Sequence, residues 1–199
     1  MDKIILASSS PRRKMLLEQI GIPFNIIISN VEEIINSNIS PSELVKSLSK
    51  QKAENVSNNL KGDFIVIGAD TVVVYKGKIL GKPKDKKEAF CMLSMLQGNI
   101  HEVYTGITII RTKDKLIKTG VEKTEVYMRE LSSDLINSYI ETNEPMDKAG
   151  AYGIQGKGAV LIDKIHGDYN NVVGLPLNLL SKLLEEIGIN IFKDYIFKL

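Results

Sequence analysis

One apolar run constrains the fold of this chain more than any other stretch: residues 64–74, which read FIVIGADTVVV. β-Branched residues follow one another almost without a break, a pattern typical of a strand buried on both faces. Asp70 and Thr71 interrupt that run, and burial of an unpaired carboxylate is energetically costly. We therefore expect the strand to deliver Asp70 into a functional site, with Gly68 leaving room for a neighbouring backbone or a ligand.

Composition bounds the class of protein around this strand. The chain has 199 residues, 43% hydrophobic and 25% charged, which is ordinary for one soluble globular domain. A net charge of +2 does not predict nucleic-acid binding. No apolar segment approaches the length of a membrane span, so we expect a cytoplasmic protein without a membrane or nucleic-acid partner. The single cysteine, Cys91, excludes an intramolecular disulfide, and its helical setting predicts a small core residue.

Alternating strand and helix patterns predict a mixed α/β domain over residues 1–199. Strands are predicted at 3–7, 24–29, 64–74, 79–80, 103–110, 121–128 and 160–165. Helices are predicted at 11–20, 41–60, 86–97, 133–140 and 176–187, the second and third opened by capping boxes at Ser40–Glu43 and Asp85–Glu88. A single domain is expected, with room for a second lobe near residues 85–145.

The segment SSSPRR at residues 8–13 predicts an anion site. Ser10 suits the N-cap and Pro11 the first position of a helix, where free backbone N–H groups face outward. Arg12 and Arg13 oppose the helix dipole, which favours acidic residues in a first turn. We infer that the two charges serve a ligand, although either arginine alone could simply be solvated.

Several familiar catalytic motifs do not fit. The glycine-rich segment 148–158 approaches a P-loop pattern, but Ala151 stands at the first glycine and Gly158 at the Ser/Thr position. No dinucleotide-binding fingerprint opens a helix, and His101 and His166 lack the spacing and the cysteine partners of a zinc site.

A set of unlike charged residues remains. Glu33, Lys52 and Lys82 would each, taken alone, be ordinary solvated side chains. Carboxylates at Asp70 and Glu33 could together hold a divalent cation or activate water, while arginine and lysine groups neutralise phosphate oxygens. Phosphate chemistry needs mainly positioning and charge stabilisation. The combination therefore indicates a nucleotide or phosphoester substrate.

Five segments, spread in order over nearly the whole chain, resemble the signatures of the Maf family. They are residues 6–13 (LASSSPRR), 67–72 (IGADTV), 81–83 (GKP), 144–156 (EPMDKAGAYGIQG) and 167–176 (GDYNNVVGLP). Several long motifs in series are far more specific than any one of them.

The resemblance implies a nucleoside triphosphate pyrophosphatase, which hydrolyses the α–β phosphoanhydride bond to a nucleoside monophosphate and pyrophosphate. It implies an α/β fold similar to inosine triphosphate pyrophosphatases, with a mixed sheet flanked by helices, two lobes and a central cleft. It also implies a divalent metal, Mg or Mn, and a homodimer. Asp70 matches the family's proposed proton acceptor, and the other matching substrate-site and catalytic positions are Ser8, Arg13, Glu33, Lys52 and Lys82.

Three further positions separate the subgroups of the family, and here they hold Arg12, Thr71 and Gln155. That combination resembles the subgroup acting on dTTP and UTP rather than the one acting on 7-methyl-GTP. The chemistry agrees, because a glutamine amide offers one donor and one acceptor to the adjacent O4 and N3–H of thymine or uracil.

Two alternatives remain open at this point. The family name comes from an association with inhibited septum formation, so a regulatory protein acting on cell division through a binding partner is one. A phosphomonoesterase of the haloacid type is the other, but its second aspartate would stand at the position that Val72 occupies.

Overall fold

The computed structural model describes residues 3–31 and 39–196 of the chain. The strands are β1 Lys3–Leu6, β2 Phe24–Ile26, β3 Phe64–Tyr75, β4 Lys78–Leu80, β5 Ile100–Arg111, β6 Leu116–Met128 and β7 Ile162–His166. The helices are α1 Pro11–Gln19, α2 Pro41–Ser57, α3 Lys86–Leu96, α4 Ser133–Ile140, α5 Tyr169–Val173 and α6 Leu177–Glu186. Short 3₁₀ turns cover Glu144–Asp147, Ala149–Ala151 and Gly156–Leu161, and a π-helical turn covers Phe192–Ile196.

The strands form one mixed sheet in the order β2-β1-β3-β5-β6-β7, with β4 paired to β3. Strand β1 runs parallel to both β2 and β3, whereas the β3–β4 and β6–β7 pairs are antiparallel. The predicted mixed α/β sheet with flanking helices is therefore confirmed. Strand β2 and helix α2 end three residues earlier than predicted, and α5 and the 3₁₀ turns were not predicted, since such short elements carry no readable periodicity.

Of the two predicted capping boxes, one forms completely and the other only in part. At α2, the Ser40 side chain accepts from the Glu43 N–H and the Glu43 carboxylate accepts from the Ser40 N–H, which completes the capping box. At α3, Asp85 accepts from the Glu88 N–H at 2.8 Å. The Glu88 carboxylate instead accepts from the Lys84 N–H at 2.7 Å, so the reciprocal half of this box is missing.

The chain divides into two compact units. The first unit comprises Met1–Asp70, Thr105–Glu122 and Gly174–Leu199, and the second comprises Thr71–Tyr104 and Lys123–Val173. The division cuts β3 at the Asp70–Thr71 peptide bond. The predictions of a single domain, of a second lobe near 85–145 and of a central cleft stay predictions.

Each unit has its own apolar cluster. In the first unit the cluster joins β1, α2, β3 and β5 through Ile5, Ala7, Ala53, Val56, Val66 and Ile110. In the second unit it gathers side chains of α3, α4 and the strands, among them Val73, Leu93, Leu96, Val103, Val126 and Ile136. No helix in residues 3–31 and 39–196 has the length and apolar character needed to cross a membrane.

The prediction that Cys91 belongs to the core is wrong, because its side chain is exposed. Helix α3 buries Ala89, Met92, Leu93 and Leu96, which recur at helical spacing along one face. Cys91 lies off that stripe, so the helical phase, rather than the residue type, decides its position.

Candidate active site

The turn after β1 brings Ser8 and Arg13 together in the first unit. Ser8 is buried, with 7% of its surface exposed. Its Oγ accepts from the Ser10 N–H and from Arg13 Nη1, each at 3.2 Å. Arg13 Nε also donates to the carbonyl of Gly174 at 2.8 Å. The guanidinium group is therefore held in a fixed orientation at the start of α1.

Helix α1 begins as the sequence predicts, with Ser10 at the N-cap position and Pro11 following it. The Ser10 side chain makes no capping hydrogen bond within the described chain. The first turn thus keeps backbone N–H groups that its own cap residue does not satisfy, which is the property of an anion site. Arg12 lies half-buried in this turn.

The parallel pairing of β1 with β3 places this turn beside the middle of the central strand. Leu6 is opposite Ile67, and the Ala7 N–H donates to the Ile67 carbonyl at 2.8 Å. Strand β1 ends at Leu6 whereas β3 continues to Tyr75, so Ser8 follows the carboxyl end of β1 beside the part of β3 that carries Gly68 and Asp70. The carboxyl ends of parallel strands are where α/β sheets commonly bind their ligands.

Asp70 is paired with Lys52, and both side chains are largely buried. Lys52 Nζ lies 2.5 Å from Asp70 Oδ1, and 16% and 12% of the two side chains are exposed. The structure therefore explains how the apolar strand tolerates a carboxylate: an ammonium group from α2 compensates its charge. The two residues are 18 positions apart in the sequence and were predicted as site residues on separate grounds.

Close packing of α2 against the sheet sets the position of Lys52. A Cβ on Gly68 would lie 2.3 Å from the carbonyl oxygen of Ser49, and one on Gly106 would lie 2.3 Å from that of Val45. The helix backbone thus rests directly on β3 and β5, where only glycine fits. The Ser49 and Thr108 hydroxyls, 2.9 Å apart, add a buried hydrogen bond between α2 and β5.

The room predicted beside Gly68 is therefore filled by a helix backbone. Gly106, Ser49 and Thr108 were not predicted as contributors to the site. A glycine within the predicted strand around Gly106 indicates that another backbone approaches closely. The sequence does not indicate that this backbone belongs to α2.

In the second unit, Thr71 and Lys82 lie at the same end of the β3–β4 hairpin. Leu80 is opposite Val73, so Thr71 precedes that pair by two residues and Lys82 follows it by two. Thr71 is half-buried and Lys82 is exposed. The Gly150 N–H donates to the Gly81 carbonyl at 3.0 Å, which ties the glycine-rich segment to this end of the hairpin.

Gln155 stands in that glycine-rich segment, immediately before the 3₁₀ turn Gly156–Leu161. Its Oε1 atom is buried and accepts no hydrogen bond from the described residues. A buried acceptor without a donor costs about 1–3 kcal/mol. Such an atom needs a donor from outside the described residues, either an ordered water molecule or a ligand.

Two predictions about the site find no test here. Glu33 lies outside the described residues. Within residues 3–31 and 39–196, no three His, Cys, Asp or Glu side chains come together in a group that could hold a metal ion. The described part of the protein therefore contributes no closed metal cage of its own.

A comparison with known families decides the classification. The family model "Maf-like protein" matches residues 3–187. The chain belongs to the Maf family. The family predicted from the five sequence segments is thus confirmed.

Curated relatives of this Maf chain match it over almost their full lengths. A dTTP/UTP pyrophosphatase of Alkaliphilus oremlandii is 54% identical, over 92% of this chain and 95% of the relative. The Bacillus anthracis protein of the same name is 53% identical, over 96% and 98%. The protein of that name from Acetivibrio thermocellus is 52% identical, over 97% and 99%.

Two solved structures align with the Maf chain at much lower similarity. A nucleoside-triphosphatase/dITP/XTP pyrophosphatase from Mycobacterium abscessus has a TM-score of 0.41 and 10% identity, over 94% of this chain and 97% of that one. The Staphylococcus aureus Ham1 protein has a TM-score of 0.44 and 15% identity, over 98% and 94%.

Proposed function

We propose that this Maf protein is a nucleoside triphosphate pyrophosphatase that hydrolyses dTTP and UTP, and modified pyrimidine nucleotides, to the monophosphate and pyrophosphate. The observation that carries this proposal is its identity of 52–54%, over nearly the full chain, with proteins named dTTP/UTP pyrophosphatase. The Lys52–Asp70 pair and the Ser8–Arg13 turn supply groups suited to that chemistry.

The triphosphate is bound by cations and backbone N–H groups. Arg13 is held by Ser8 and Gly174 at the N-terminus of α1, so its guanidinium group is fixed in orientation for contact with phosphate oxygens. Arg12 shares that helix turn, and Lys82 adds an exposed ammonium group. Phosphoryl transfer depends mainly on such positioning and charge neutralisation.

Asp70 serves as the general base. Its carboxylate takes a proton from a water molecule as the water oxygen forms a bond to the α-phosphorus. The bond from that phosphorus to the bridging oxygen breaks, and pyrophosphate leaves with the bonding electrons. In this scheme Lys52, which contacts Asp70, shares its ammonium group between the base and a phosphate oxygen.

A divalent cation, Mg or Mn, fits the oxygen donors available. Magnesium is commonly bound by one or two carboxylates together with substrate phosphates rather than by an all-protein cage. Asp70 would hold the ion, with Glu33 as the second carboxylate. When bound, the cation would neutralise negative charge on the triphosphate.

Gln155 and Thr71 recognise the base. Gln155 Oε1, which has no donor among the described residues, suits the N3–H donor of thymine or uracil, and the amide N–H₂ suits the adjacent O4. Arg12, Thr71 and Gln155 are the combination that resembles the pyrimidine-specific subgroup. We further propose a cytoplasmic homodimer, on the strength of the family resemblance.

Pyrophosphate release from dTTP tests this function. Asp70→Asn removes the base with little change in volume, and we expect kcat to fall by about 10²–10⁴-fold. Asp63→Asn, an exposed position just before β3, is the matched control and should retain full activity. Circular dichroism of both variants monitors the fold. Turnover at the wild-type rate by a folded Asp70→Asn protein would overturn the assignment.

A further inference from the structure

The 3₁₀ turn Gly156–Leu161 is capped in an unusual way. Gln155 occupies its N-cap position in an extended conformation, but the Gln155 side chain makes no capping hydrogen bond within the described chain. The first N–H groups of any helix lack intrahelical partners, and the N-cap side chain commonly satisfies one of them. Another group must therefore take that role here.

Glu144 takes it from eleven residues upstream of Gln155. Its Oε2 accepts from the Lys157 N–H at 3.0 Å, and its Oε1 accepts from the Gly158 N–H at 2.9 Å. Oε1 also accepts from the Tyr139 hydroxyl at 3.1 Å. Burial alone raises the pKa of Glu144, but these three hydrogen bonds and the charge of Lys148 together outweigh it and hold that pKa below its ordinary value.

The loop is shaped closely around this carboxylate. Gly156 has φ +69°, and a Cβ there would lie 2.9 Å from Glu144 Oε2. A Cβ on Gly158 would lie 2.6 Å from the Tyr139 hydroxyl and 2.3 Å from the Gly153 carbonyl oxygen. The two glycines thus leave the space that the Glu144 and Tyr139 side chains require.

The Glu144 backbone is anchored independently of its carboxylate. Its N–H donates to Thr142 Oγ1 at 3.2 Å, and its carbonyl accepts from Lys148 Nζ at 2.6 Å. A change confined to the carboxylate therefore acts on the 153–158 loop without releasing the Glu144–Asp147 turn.

We propose that Glu144 is a positioning residue for base recognition: its carboxylate caps the Gly156–Leu161 turn in place of Gln155, which leaves the Gln155 amide available to the base of the substrate. This inference rests on the proposed function and deepens it. Glu144 acts through Gln155 and the loop backbone and has no contact with the reacting phosphorus in this scheme.

A double-mutant cycle tests the proposal. Glu144→Gln replaces one acceptor oxygen by an N–H₂ donor, so either the Lys157 or the Gly158 N–H loses its partner. We expect KM for dTTP to rise about tenfold, with kcat changed less than twofold. In the Gln155→Ala background the same substitution should change KM less than twofold, because the residue through which it acts is absent.

Glu141→Gln is the matched control, since Glu141 is exposed and paired only on the surface with Lys86 at 2.7 Å. It should leave KM and kcat unchanged. Equal effects of Glu144→Gln in the wild-type and Gln155→Ala backgrounds would overturn the proposal, as would no effect in the wild-type background.

Amide hydrogen exchange separates this proposal from the proposed function. Glu144→Gln should lower protection at the Lys157 and Gly158 amides, and unchanged protection overturns the capping role even in an active enzyme. If the wild-type protein releases no pyrophosphate from dTTP, the proposed function fails. Lost protection in that case shows that Glu144 caps the turn, while its assignment to base recognition is overturned.

Discussion

The two units hold their predicted site residues in different ways. In the first unit the contacts span long stretches of sequence: Lys52 and Asp70 are 18 residues apart, and Arg13 contacts Gly174 across 161 residues. Each of these charged groups already has a protein partner. The chemistry assigned to this unit therefore depends on its tertiary structure.

The glycine-rich loop of the second unit is assembled locally. Glu144 reaches the Lys157 and Gly158 N–H groups over 13 and 14 residues, and Tyr139 reaches Glu144 over five. These bonds satisfy the loop backbone and leave Gln155 Oε1 without a donor among the described residues. The base recognition proposed for this unit therefore depends on contacts that are close in sequence.

Acid should have the largest effect on the difference between the two units. It should lower the stability of the protein, because the second unit buries the imidazole of a histidine. His101 is 2% exposed, and its Nε2 lies 2.7 Å from the Tyr152 hydroxyl. Burial lowers the pKa of His101 from 6.5 to about 4. Between pH 6.5 and pH 4, His101 binds a proton in the unfolded chain but not in the folded chain. The free energy of unfolding therefore falls as the pH is lowered through this window, and His101 causes no further loss below pH 4.

The expected loss is about 3 kcal/mol, which denaturant titrations at neutral pH and at pH close to 4 can measure. His101→Gln should remove this part of the pH dependence. His166→Gln is the control, since 85% of the His166 side chain is exposed. An unchanged pH slope in the His101→Gln protein would show that the buried imidazole is not its source.

Gly68→Ala should break the assembly of the first unit. The added methyl group would meet the Ser49 carbonyl of α2 at 2.3 Å, so the helix that carries Lys52 must move away from β3. We expect a loss of roughly 2 kcal/mol in unfolding free energy together with reduced turnover. Gly81→Ala has nothing within 4 Å of its Cβ and should keep the unfolding free energy of the wild-type protein. Wild-type stability of Gly68→Ala would contradict the close packing described.

Gln155→Glu should have the smallest effect on stability of these changes. It should alter substrate preference, the property that we assign to the second unit. A carboxylate cannot donate to O4 of thymine, so kcat/KM for dTTP should fall about tenfold, and circular dichroism should show that the fold is retained. Activity on guanine nucleotides should rise relative to dTTP, since a carboxylate suits their donor-rich edge. Gln19→Glu, an exposed position at the end of α1, is the control. Retained preference for dTTP would remove Gln155 from base recognition.

Much of the fold follows from local sequence signals. The buried strand around Asp70, the Ser40 capping box and the Lys76–Gly77 hairpin turn, with φ of 48° and 75°, each depend on residues close in sequence. Such signals are readable because the interacting groups lie within a few positions of one another.

The tertiary contacts that organise the site are harder to predict from the sequence. Pairing of Lys52 with Asp70 depends on how α2 docks at Gly68 and Gly106, which no periodicity encodes. The capping role of Glu144 joins two segments without helical or strand repeats. The Lys52–Asp70 pair and the Glu144 cap both arise from tertiary packing. The sequence therefore indicates candidate residues such as Lys52 and Asp70, but not which residues they contact.

Hydrolysis of dTTP in water enriched in the heavy oxygen isotope tests the central claim most directly. Attack on the α-phosphorus, with Asp70 as the base, places the heavy atom in dTMP and leaves the released pyrophosphate unlabelled. Mass spectrometry of the two products distinguishes the sites of attack. Label in the pyrophosphate, or formation of dTDP and inorganic phosphate, would contradict the mechanism.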